Sequence, residues 1–570
     1  MDQKNIDTLD LLWKKESRYE SSLYVDIFRK LDLKNRYNAQ TESQYFQSTE
    51  SVIAKYMRDE KDNDQSVLYR KKGDKCFKET EWQEAIACYN QSLCFATITS
   101  EHIGIGYAKR AQCFFQLKRY EECLLDLNLA RHSNYPRQYV QLLQMREREC
   151  IKLIGQGDIE PMTKVPKIAF LPSEKYHELA NVLDLTRQSD GKWRFVATED
   201  VKVGQVVLVE SSFVSSYTPS VSRCCICSAG LTNLLPCSKC SKVLMCSSCN
   251  GSIIHQVECD AFVLFDGQYK LASDTFRSIL LAMSLFENAN KLMDFVEPIV
   301  HGDLGNFPAF ISNDDKLTKY RAFLHIAHGL FMVIDDKKAA FVNYCALMGH
   351  PVVNRYFHTV KHRRFLIHLI FHHISSLRLS ALNSIVSGLE SLEEIDYTFI
   401  LSRHFSHSCA PHVRLNLIEG HIAMTSVRPI RKGQTVHIAY NETSLLKDVQ
   451  TRQEELKDDL GRKCDCERCK FEEVNERGNV NAFEEDFGIT TNMDFLYIVN
   501  DVYNKQQQNT NDKHVDDKIV KRAQRLLDQY GYQEWNSFLE IVFFYYYSAL
   551  GKKSGQNKIT FRSNSTISFD

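Results

Sequence analysis

Small and aromatic residues recur at helical spacing in two copies along the first third of the chain. The copies are offset by 38 residues, as three pairs of matched positions show: Gly73 and Ala111, Trp82 and Tyr120, Tyr89 and Leu127. Each copy has the pattern of two antiparallel helices, in which small residues let the helices approach and aromatic residues fill the groove between them. We therefore predict helical repeats over residues 66–155, with a third, capping helix over residues 137–154.

The offset of 38 residues is close to the tetratricopeptide period of about 34 residues. An ordinary helical bundle is the alternative, because two copies are fewer than such arrays usually contain. Residues 1–65 carry many charges at helical spacing and are predicted to form an N-terminal helical arm. Residues 156–175 contain three prolines and are predicted to be a linker.

Runs of β-branched residues lie on both sides of a long insertion. Residues 193–217 contain two such runs separated by the turn DVKVGQ, which predicts strand, turn and strand. Strand patterns return at residues 413–427 and 434–440. Between them lie a cysteine-dense segment and a mainly helical region over about 270–395. The pattern predicts an α+β multidomain protein in which a β unit is interrupted and resumes about 180 residues later.

The last hundred residues return to a helical pattern, and the apolar run at 538–550 is interpreted as a buried helix face. No window approaches about 20 uninterrupted apolar residues, the length that a membrane helix needs. The start, MDQKNIDTLDLLWKK, lacks the apolar core of a signal peptide. We therefore expect a soluble, intracellular protein with no membrane partner.

Length and charge limit the number of compact units and the kinds of partner. A chain of 570 residues exceeds what one core supports, so two to four compact units are expected. Lys and Arg total 71 against 72 Asp and Glu, so no overall field attracts nucleic acid, and no direct DNA binding is expected. The basic run KHRR at 361–364 opens an apolar helical pattern and is interpreted as a solvated helix end.

Three CxxC pairs and a closing HxxxC occur within residues 224–259. A single CxxC could be redox-active, but this density in a reducing compartment favours structural zinc. Eight ligands make two closed tetrahedral sites and leave no open position for catalysis. The predicted ligands are Cys224, Cys227, Cys237, Cys240, Cys246, Cys249, His255 and Cys259. Cys225 is not among these eight, but because it is adjacent to Cys224, either residue could be the first ligand.

A later CxCxxC motif provides three thiolates, Cys464, Cys466 and Cys469, without a fourth ligand nearby in sequence. A zinc site there needs one more soft ligand from a distant part of the chain. Cys409 is the natural candidate, because Cys345 lies in an apolar helical run and the other cysteines lie in the repeats or the first zinc segment. The alternative is a set of unpaired surface cysteines.

Two other motifs suggest chemistry but are given structural interpretations. His372 and His373 lack CxxC partners or an HExxH frame, so core or surface histidines are preferred to ligands. The sequence GIG at 104–106 lies inside a predicted helix and lacks a Lys-Ser/Thr ending, so a phosphate loop is not expected.

The motif HSCAP at 407–411, the following strands and CxCxxC together look like the carboxyl half of a SET domain with its post-SET zinc loop. The segment 193–210 looks like the amino half, and the cysteine-dense insert resembles a MYND zinc finger. With the repeats in front, residues 66–475 resemble the tetratricopeptide-bearing branch of the SET and MYND domain-containing lysine methyltransferases.

This resemblance implies a split β-rich SET domain with an inserted MYND finger and a helical insert, flanked by repeats and a C-terminal helical region. The implied divisions are a helical arm 1–65, repeats 66–155, a linker 156–175, SET parts 176–220 and 396–445, a MYND finger 224–259, a helical insert 260–395, a post-SET loop 446–475 and a C-terminal region 476–570. It also implies how the MYND ligands divide: Cys224, Cys227, Cys246 and Cys249 on one ion, and Cys237, Cys240, His255 and Cys259 on the other.

The activity implied is S-adenosylmethionine-dependent methylation of lysine in histone or nonhistone proteins, with structural zinc at three sites. In the family a tyrosine closes the strand before the post-SET segment, and here that residue is Tyr440. The implied cofactor-binding residues are Gly191, Lys192, Trp193, Arg194, Ser406, His407 and Tyr440. Implied partners are a substrate lysine, proline-rich peptides or corepressors such as histone deacetylases at MYND, and chaperone tails at the repeats, in the cytoplasm and nucleus.

Several positions depart from the family pattern. Ser406 and His412 stand where the family has asparagines, and only Gly191 remains of the glycine motif in the amino half. Leu460 or Arg462 stands where an aromatic residue normally covers the adenine, and the third MYND pair is one residue shorter than usual. The alternative function is therefore a noncatalytic scaffold that recruits partners through the MYND finger and the repeats.

Overall fold

The structure is a computed structural model, and it describes most of the chain from residue 61 onwards. The described residues are 61–157, 165–217, 222–230, 233–260, 270–301, 307–310, 315–326, 340, 343–344, 346–387, 392–418, 420–440, 442, 445, 447–460, 463–475, 493–508, 517–554 and 559–561. The predicted N-terminal arm lies outside them up to residue 60, as does Cys345.

The helical repeats consist of two antiparallel hairpins followed by one further helix. The helices are α1 (Asn63–Lys78), α2 (Trp82–Phe95), α3 (Glu101–Gln116), α4 (Tyr120–His132) and α5 (Val140–Gly155). Asp62 caps α1, because its carboxylate accepts hydrogen bonds from the N–H groups of Asp64 and Gln65. A short 3-10 turn over Arg137–Tyr139 precedes α5. The predicted capping helix therefore exists but begins three residues later than expected.

The glycines of GIG allow close packing of α3. A Cβ atom on Gly104 would lie 2.6 Å from the backbone oxygen of Ser133, and one on Gly106 would lie 2.8 Å from Leu93 Cδ2. Both distances are below van der Waals contact, so a side chain there would push the neighbouring segments apart. These glycines serve helix packing, in agreement with the prediction that they form no phosphate loop.

The strands are short and form five small sheets. They are β1 (Leu183–Arg187), β2 (Trp193–Ala197), β3 (Val206–Ser211), β4 (Val214–Tyr217), β5 (Leu235–Pro236), β6 (Leu244–Met245), β7 (Ala381–Ser387), β8 (Leu392–Thr398), β9 (Ser406–His407), β10 (Val413–Ile418), β11 (His421–Ser426), β12 (His437–Ile438) and β13 (Ile559–Phe561). The sheet orders are β1-β2, β10-β11-β3, β12-β9, β13-β7-β8-β4 and β5-β6.

Strands from before and after the insertion meet in one sheet. β3 pairs antiparallel with β11, so that Leu208 faces Met424 and Glu210 faces Ile422. β2 does not pair with β3 but folds back on β1, through a turn in which Gly191 has a φ of +78°. The predicted strand, turn and strand therefore exist, but the two strands lie in different sheets.

One buried carboxylate ties β3 to the segment that follows the insertion. Glu210 is 1% exposed, and its two oxygens accept hydrogen bonds from the N–H groups of Ile400, Leu401 and Ser402, at 2.5, 2.7 and 2.9 Å. Burial and the nearby Glu178 carboxyl raise the pKa of Glu210 to about 7, while the three amide hydrogens act in the opposite direction. All three backbone partners are donors, so their hydrogen bonds favour the ionised form against the effect of burial.

The helical insert is anchored on the same strand. Its helices are α7 (Lys270–Leu285), α8 (Ala289–His301), α9 (Lys316–His325), α10 (Pro351–Tyr356) and α11 (Val360–Ser380), preceded by α6 (Ile253–Asp260) of the cysteine-dense segment. Lys319 donates a 2.8 Å hydrogen bond to Glu178, which also accepts from the backbone and hydroxyl of Ser211. Both charges are nearly inaccessible to solvent, so each depends on the other.

The histidines of α11 lie in structural positions. His373 is fully buried and contacts the Ser278 hydroxyl at 2.8 Å and the Tyr320 hydroxyl at 2.9 Å. Burial lowers its pKa well below the usual value, so the ring is neutral. His372 lies 2.7 Å from the backbone oxygen of Leu324. Neither ring belongs to a metal-ligand group among the described residues.

The C-terminal helices pack on the later strands. They are α12 (Val449–Leu460), α13 (Glu467–Asn475), α14 (Met493–Gln508), α15 (Asp517–Tyr530) and α16 (Ser537–Ser554). Phe538, Val542 and Phe543 are buried, as predicted for the run at 538–550. The Asp528 carboxylate accepts a 2.7 Å hydrogen bond from the N–H of Val203, which joins α15 to the turn before β3. Across the described part of the chain, no helix has the length and apolarity needed to cross a membrane.

A buried arginine joins the repeats to the cysteine-dense segment. Arg110 of α3 is 0% exposed and forms two 2.7 Å hydrogen bonds with the Asp126 carboxylate. Its third nitrogen donates to Asn90 and to the backbone oxygen of Leu234, at 2.7 and 2.9 Å. Asn233 completes the group with a 2.6 Å hydrogen bond to Asp126. Every partner of the guanidinium is therefore supplied by two regions that are over 100 residues apart.

The α+β class is confirmed at the level of a mixed helical and sheet molecule. The division into domains at the boundaries given above stays a prediction.

We predict that Glu210→Gln destabilises the protein. Glutamine replaces one acceptor oxygen with an NH₂ group that faces backbone donors, so at least one buried N–H loses its partner. The expected loss is about 2–4 kcal/mol of unfolding free energy, measured by chemical denaturation. Glu199→Gln, at an exposed position, is the control and should leave the midpoint unchanged. Equal midpoints for the two variants would contradict the assigned role of Glu210.

Candidate functional site

The twelve predicted metal ligands form three groups of four. Within each group the ligand atoms all lie within 4.8 Å of one another, and each group could hold a metal ion. The groups are Cys224, Cys227, Cys246 and Cys249; Cys237, Cys240, His255 and Cys259; and Cys409, Cys464, Cys466 and Cys469. The thiolate and imidazole ligands fit zinc.

The first group resolves the ambiguity at the start of the cysteine-dense segment. Cys224 belongs to the group, whereas its neighbour Cys225 is fully buried outside it and donates its N–H to Leu244 at 2.8 Å. The sulfurs of Cys227 and Cys246 lie 3.8 Å apart. Four sulfurs at about 2.3 Å from one zinc ion lie about 3.8 Å apart, so the group already has tetrahedral dimensions.

The second group uses one face of α6. His255 and Cys259 are four residues apart on that helix and so point to the same side. Cys240 Sγ lies 3.8 Å from His255 Nε2, and Cys237 Sγ lies 3.8 Å from Cys259 Sγ. Lys61, at the start of the repeats, brings a positive charge close to these thiols. The repeats therefore contribute to the surroundings of this group.

The third group joins residues that are 60 positions apart. Cys409 Sγ lies 3.6 Å from Cys469 Sγ, and Cys464 and Cys466 complete the group. The structure thus places Cys409 beside the three cysteines of CxCxxC, as predicted for the fourth ligand. Both Cys409 and Cys469 are buried, so a bound ion would be shielded from solvent.

Two residues that the sequence did not suggest surround the third group. The Gln453 side chain donates to the backbone oxygen of Cys464 and accepts from its N–H, both at 2.7 Å. Arg452 directs one guanidinium nitrogen at Cys469 Sγ, at 3.7 Å. A cation beside a thiolate favours its charged form. No spacing signal identifies these residues, because α12 has an ordinary charged-helix sequence.

His407 connects the third group to Tyr440. Its Nδ1 accepts a 3.1 Å hydrogen bond from the N–H of Tyr440, and its Nε2 lies 3.4 Å from Cys409 Sγ. Because Nδ1 is an acceptor, the ring hydrogen lies on Nε2 and points at the sulfur. Both nitrogens of His407 therefore have partners within the protein, which leaves the ring face and the backbone for contact with a ligand.

Tyr440 is half-buried at the end of the strand that contains His437. Its hydroxyl donates a 3.2 Å hydrogen bond to the backbone oxygen of Phe405, and its ring centre lies 5.2 Å from that of His407. The hydroxyl is thus held at the segment that precedes Ser406. Ser406 is half-buried and faces His437 in the parallel pair β9 and β12.

The amino-half candidates lie on the turn between β1 and β2 and on the first two residues of β2. Gly191 and Lys192 are exposed, whereas Trp193 and Arg194 are half-buried. Arg194 forms an ion pair with Asp190. Trp193 lies against Phe307, with ring centres 6.3 Å apart.

This turn lies beside the Ser406 and Tyr440 segments. The ring centres of Phe195 and Phe405 are 4.5 Å apart, and the N–H of Val436 donates to the Phe195 oxygen at 2.9 Å. Burial, with the positive charge of nearby Arg194, lowers the pKa of His437 to about 4. The structure therefore brings both sets of candidate cofactor residues into one region.

The two remaining histidines of the HSC segment are buried and neutral. His404 packs its ring against Phe307 at 4.7 Å, and His412 lies against His437 at 5.2 Å. Burial lowers the pKa of both rings well below the usual value. Neither joins a metal-ligand group in the described ranges. Leu460 ends α12, and Arg462 lies outside the described residues.

Three clustered metal-ligand sets, a β unit completed across a long insertion and a tyrosine near the third set define a protein with three candidate zinc sites and a candidate functional site around Tyr440. No protein-family model matches the chain. The chain is similar to protein-lysine N-methyltransferase SMYD4 of Mus musculus, with 33% identity over 97 residues, 17% of this chain and 12% of the mouse protein.

Relatives of the same name match over longer segments. The Danio rerio protein is 23% identical over 216 residues, 34% of this chain and 29% of the relative. The Gallus gallus protein is 22% identical over 319 residues, 42% of each. The chain thus spans less than half the length of the relatives that it matches. These matches confirm the resemblance to the SET and MYND domain-containing methyltransferases of the SMYD4 type, at low identity and over part of the chain.

We predict that Cys224→Ser and Cys225→Ser differ in metal content, although the two residues are adjacent. Cys224→Ser removes one of four ligands and should lower bound zinc by about one ion per chain. Cys225→Ser should retain the full content, because that thiol lies outside the group. Elemental mass spectrometry on purified protein measures the difference. A loss of zinc in Cys225→Ser alone would show that the ligand is assigned one place too early.

We predict that Cys409→Ser loses the third metal and loosens the C-terminal helices. Arg468 donates to the backbone oxygens of Cys409 and Leu445, at 3.4 and 2.8 Å, and also pairs with Glu540 of α16. Loss of the metal should therefore expose α16 to limited proteolysis. Cys76→Ser, in the repeats, is the control. Unchanged zinc content in Cys409→Ser would contradict its place as the fourth ligand.

Proposed function

We propose that this protein is an S-adenosylmethionine-dependent protein-lysine N-methyltransferase of the SET and MYND type. The observation that carries the proposal is the convergence at Tyr440 of the β2 turn, the Ser406 segment and the Cys409 group. In this proposal, residues 176–220 and 396–445 are the split SET domain, 224–259 the MYND finger, 446–475 the post-SET loop and 66–155 tetratricopeptide repeats. The names of the relatives support the reaction class.

The residues around Tyr440 offer groups that fit the proposed cofactor. A sulfonium and its polarised methyl group favour carbonyl oxygens, hydroxyls and aromatic faces. The Phe405 carbonyl, the Ser406 hydroxyl and the rings of Tyr440 and Trp193 supply these groups. Gly191 has open space where a Cβ would lie, which permits close approach of a ligand to the backbone. S-adenosylmethionine, when bound, would supply the methyl group.

The protein's part in methyl transfer is then mainly positioning. The amine must be neutral and in line with the methyl carbon, at about 3–3.5 Å. The hydrogen bond from the Tyr440 hydroxyl to the Phe405 carbonyl fixes the direction of the hydroxyl. His407 fixes the backbone of Tyr440 and is itself fixed by the Cys409 group. The proposed role of the third zinc is therefore to hold the catalytic tyrosine in place through His407.

A noncatalytic scaffold is the second proposal, and the same pocket supplies the observation for it. The Ser406 hydroxyl has fewer hydrogen-bonding groups than the amide of an asparagine, and Lys192 is exposed where the family has glycine. The Arg110 network, by contrast, joins the repeats to the cysteine-dense segment through fully buried contacts. In this proposal the two regions present one rigid surface to proline-rich peptides, corepressors or chaperone tails.

Calorimetric titration of zinc-loaded protein with S-adenosylmethionine separates the two proposals. Binding is expected for the enzyme, and no detectable binding would leave the scaffold. We further predict that Tyr440→Phe retains cofactor affinity and zinc but lowers methyl transfer at least tenfold, because the ring packing remains while the hydroxyl is lost. Transfer of labelled methyl groups to core histones measures this. Unchanged transfer in Tyr440→Phe would remove Tyr440 from the catalytic role.

A further inference from the structure

Arg403 is a half-buried cation whose guanidinium has no carboxylate partner among the described residues. Its hydrogen bond, from Nη1 to the backbone oxygen of Ile326, is long at 3.5 Å. Its Nε is inaccessible to solvent and has no hydrogen-bond partner. Burial lowers the pKa of the guanidinium to about 10, which leaves it charged at neutral pH.

Seven arginines among the described residues are buried, and the six besides Arg364 differ from Arg403 in a consistent way. Six of them each form an ion pair with a carboxylate: Arg110 with Asp126, Arg277 with Glu258, Arg414 with Glu442, Arg428 with Glu467, Arg452 with Glu472, and Arg468 with Glu472 and Glu540. Burying a guanidinium costs several kcal/mol unless an anion accompanies it. The described residues thus supply an anion at these six positions and none at Arg403.

The position of Arg403 places this charge beside the candidate active site. The residue follows directly on Ile400, Leu401 and Ser402, whose amides are held by Glu210. Tyr440 is the ionisable neighbour whose field acts on the guanidinium. Glu210 holds the backbone on one side of Arg403, and the hydrogen bond from the Tyr440 hydroxyl to the Phe405 carbonyl holds it on the other.

We infer that Arg403 forms an anion subsite at the Tyr440 pocket, which takes a carboxylate of a bound ligand. A planar guanidinium with an unused Nε–H presents the geometry that a carboxylate accepts in two parallel hydrogen bonds. Two ligands carry such a group: the amino-acid part of S-adenosylmethionine, and a protein substrate with an acidic residue beside the target lysine. The inference deepens the proposed function. It rests on cofactor binding only if the carboxylate belongs to S-adenosylmethionine, and not if it belongs to a protein substrate.

The first arm of the test compares S-adenosylmethionine with its decarboxylated analogue by calorimetry on zinc-loaded full-length protein. If Arg403 holds the cofactor carboxylate, Arg403→Met should weaken S-adenosylmethionine binding about 10- to 100-fold. The same substitution should leave binding of the decarboxylated analogue unchanged. Arg131→Met, which removes a distant half-exposed cation of α4, is the matched control and should change neither affinity.

The second arm omits the cofactor. Fluorescence anisotropy compares a labelled lysine peptide flanked by glutamates with one flanked by glutamines. If Arg403 binds an acidic residue of the substrate, wild-type protein should bind the glutamate peptide about tenfold or more tightly than the glutamine peptide. Arg403→Met should abolish this difference in affinity. Arg403→Lys, which keeps the charge without the planar fork, should retain part of it. Thermal midpoints and zinc content show whether each variant is folded.

The two arms separate failure of the inference from failure of the proposed function. Absence of S-adenosylmethionine binding in every variant would count against the enzyme, and the peptide arm alone would then decide the role of Arg403. An Arg403-dependent preference in either arm supports the anion subsite. If Arg403→Met changes neither the carboxylate dependence of cofactor binding nor the peptide preference, the subsite is overturned.

Discussion

The arrangement of the candidate site depends on the hydrogen bonds between Glu210 and three successive backbone amides. A buried carboxylate that accepts from N–H groups about 190 residues later in the chain joins the two halves of an interrupted β unit more specifically than apolar packing could. The Ser402 turn, Phe405, Ser406 and His407 follow directly on these amides. Their positions relative to β3 are therefore set by one side chain, and the long insertion leaves from this junction without disturbing it.

The cysteine groups supply a second kind of constraint. Each is assembled from short segments, and metal binding there would contribute folding free energy directly. Residues from neighbouring segments also lie around these cysteine groups. Gln453 forms two hydrogen bonds with the backbone of Cys464, the charge of Lys61 in the repeats lies near the second group, and His407 joins the third group to Tyr440. Structure formed around the metal sites thus reaches the repeats at one end and the candidate pocket at the other.

The features that could be predicted from the sequence rest on local residue patterns. The helices of the repeats follow from matched residues 38 positions apart, and Cys409 follows from counting thiolates that lack a fourth partner. Long-range polar contacts could not be read in this way. Glu210 ends an ordinary strand pattern, and the choice between Cys224 and Cys225 depends on which adjacent side chain points at the group. Arg403 belongs to no sequence motif, because its proposed role depends on the absence of a carboxylate partner among the described residues.

Several charged groups lie around the third group and Tyr440. Four thiolates around one divalent ion would carry a net charge of about −2, and Arg452 brings one cationic nitrogen within 3.7 Å of Cys469 Sγ. His407 approaches Cys409 Sγ at 3.4 Å and holds the backbone of Tyr440, so Tyr440 has both the Cys409 group and the cation of Arg403 in its surroundings. Such a field favours a ligand whose positive and negative groups are separated. A sulfonium that also bears a carboxylate has this charge pattern, as does a lysine next to an acidic residue, whereas a lysine among neutral neighbours does not.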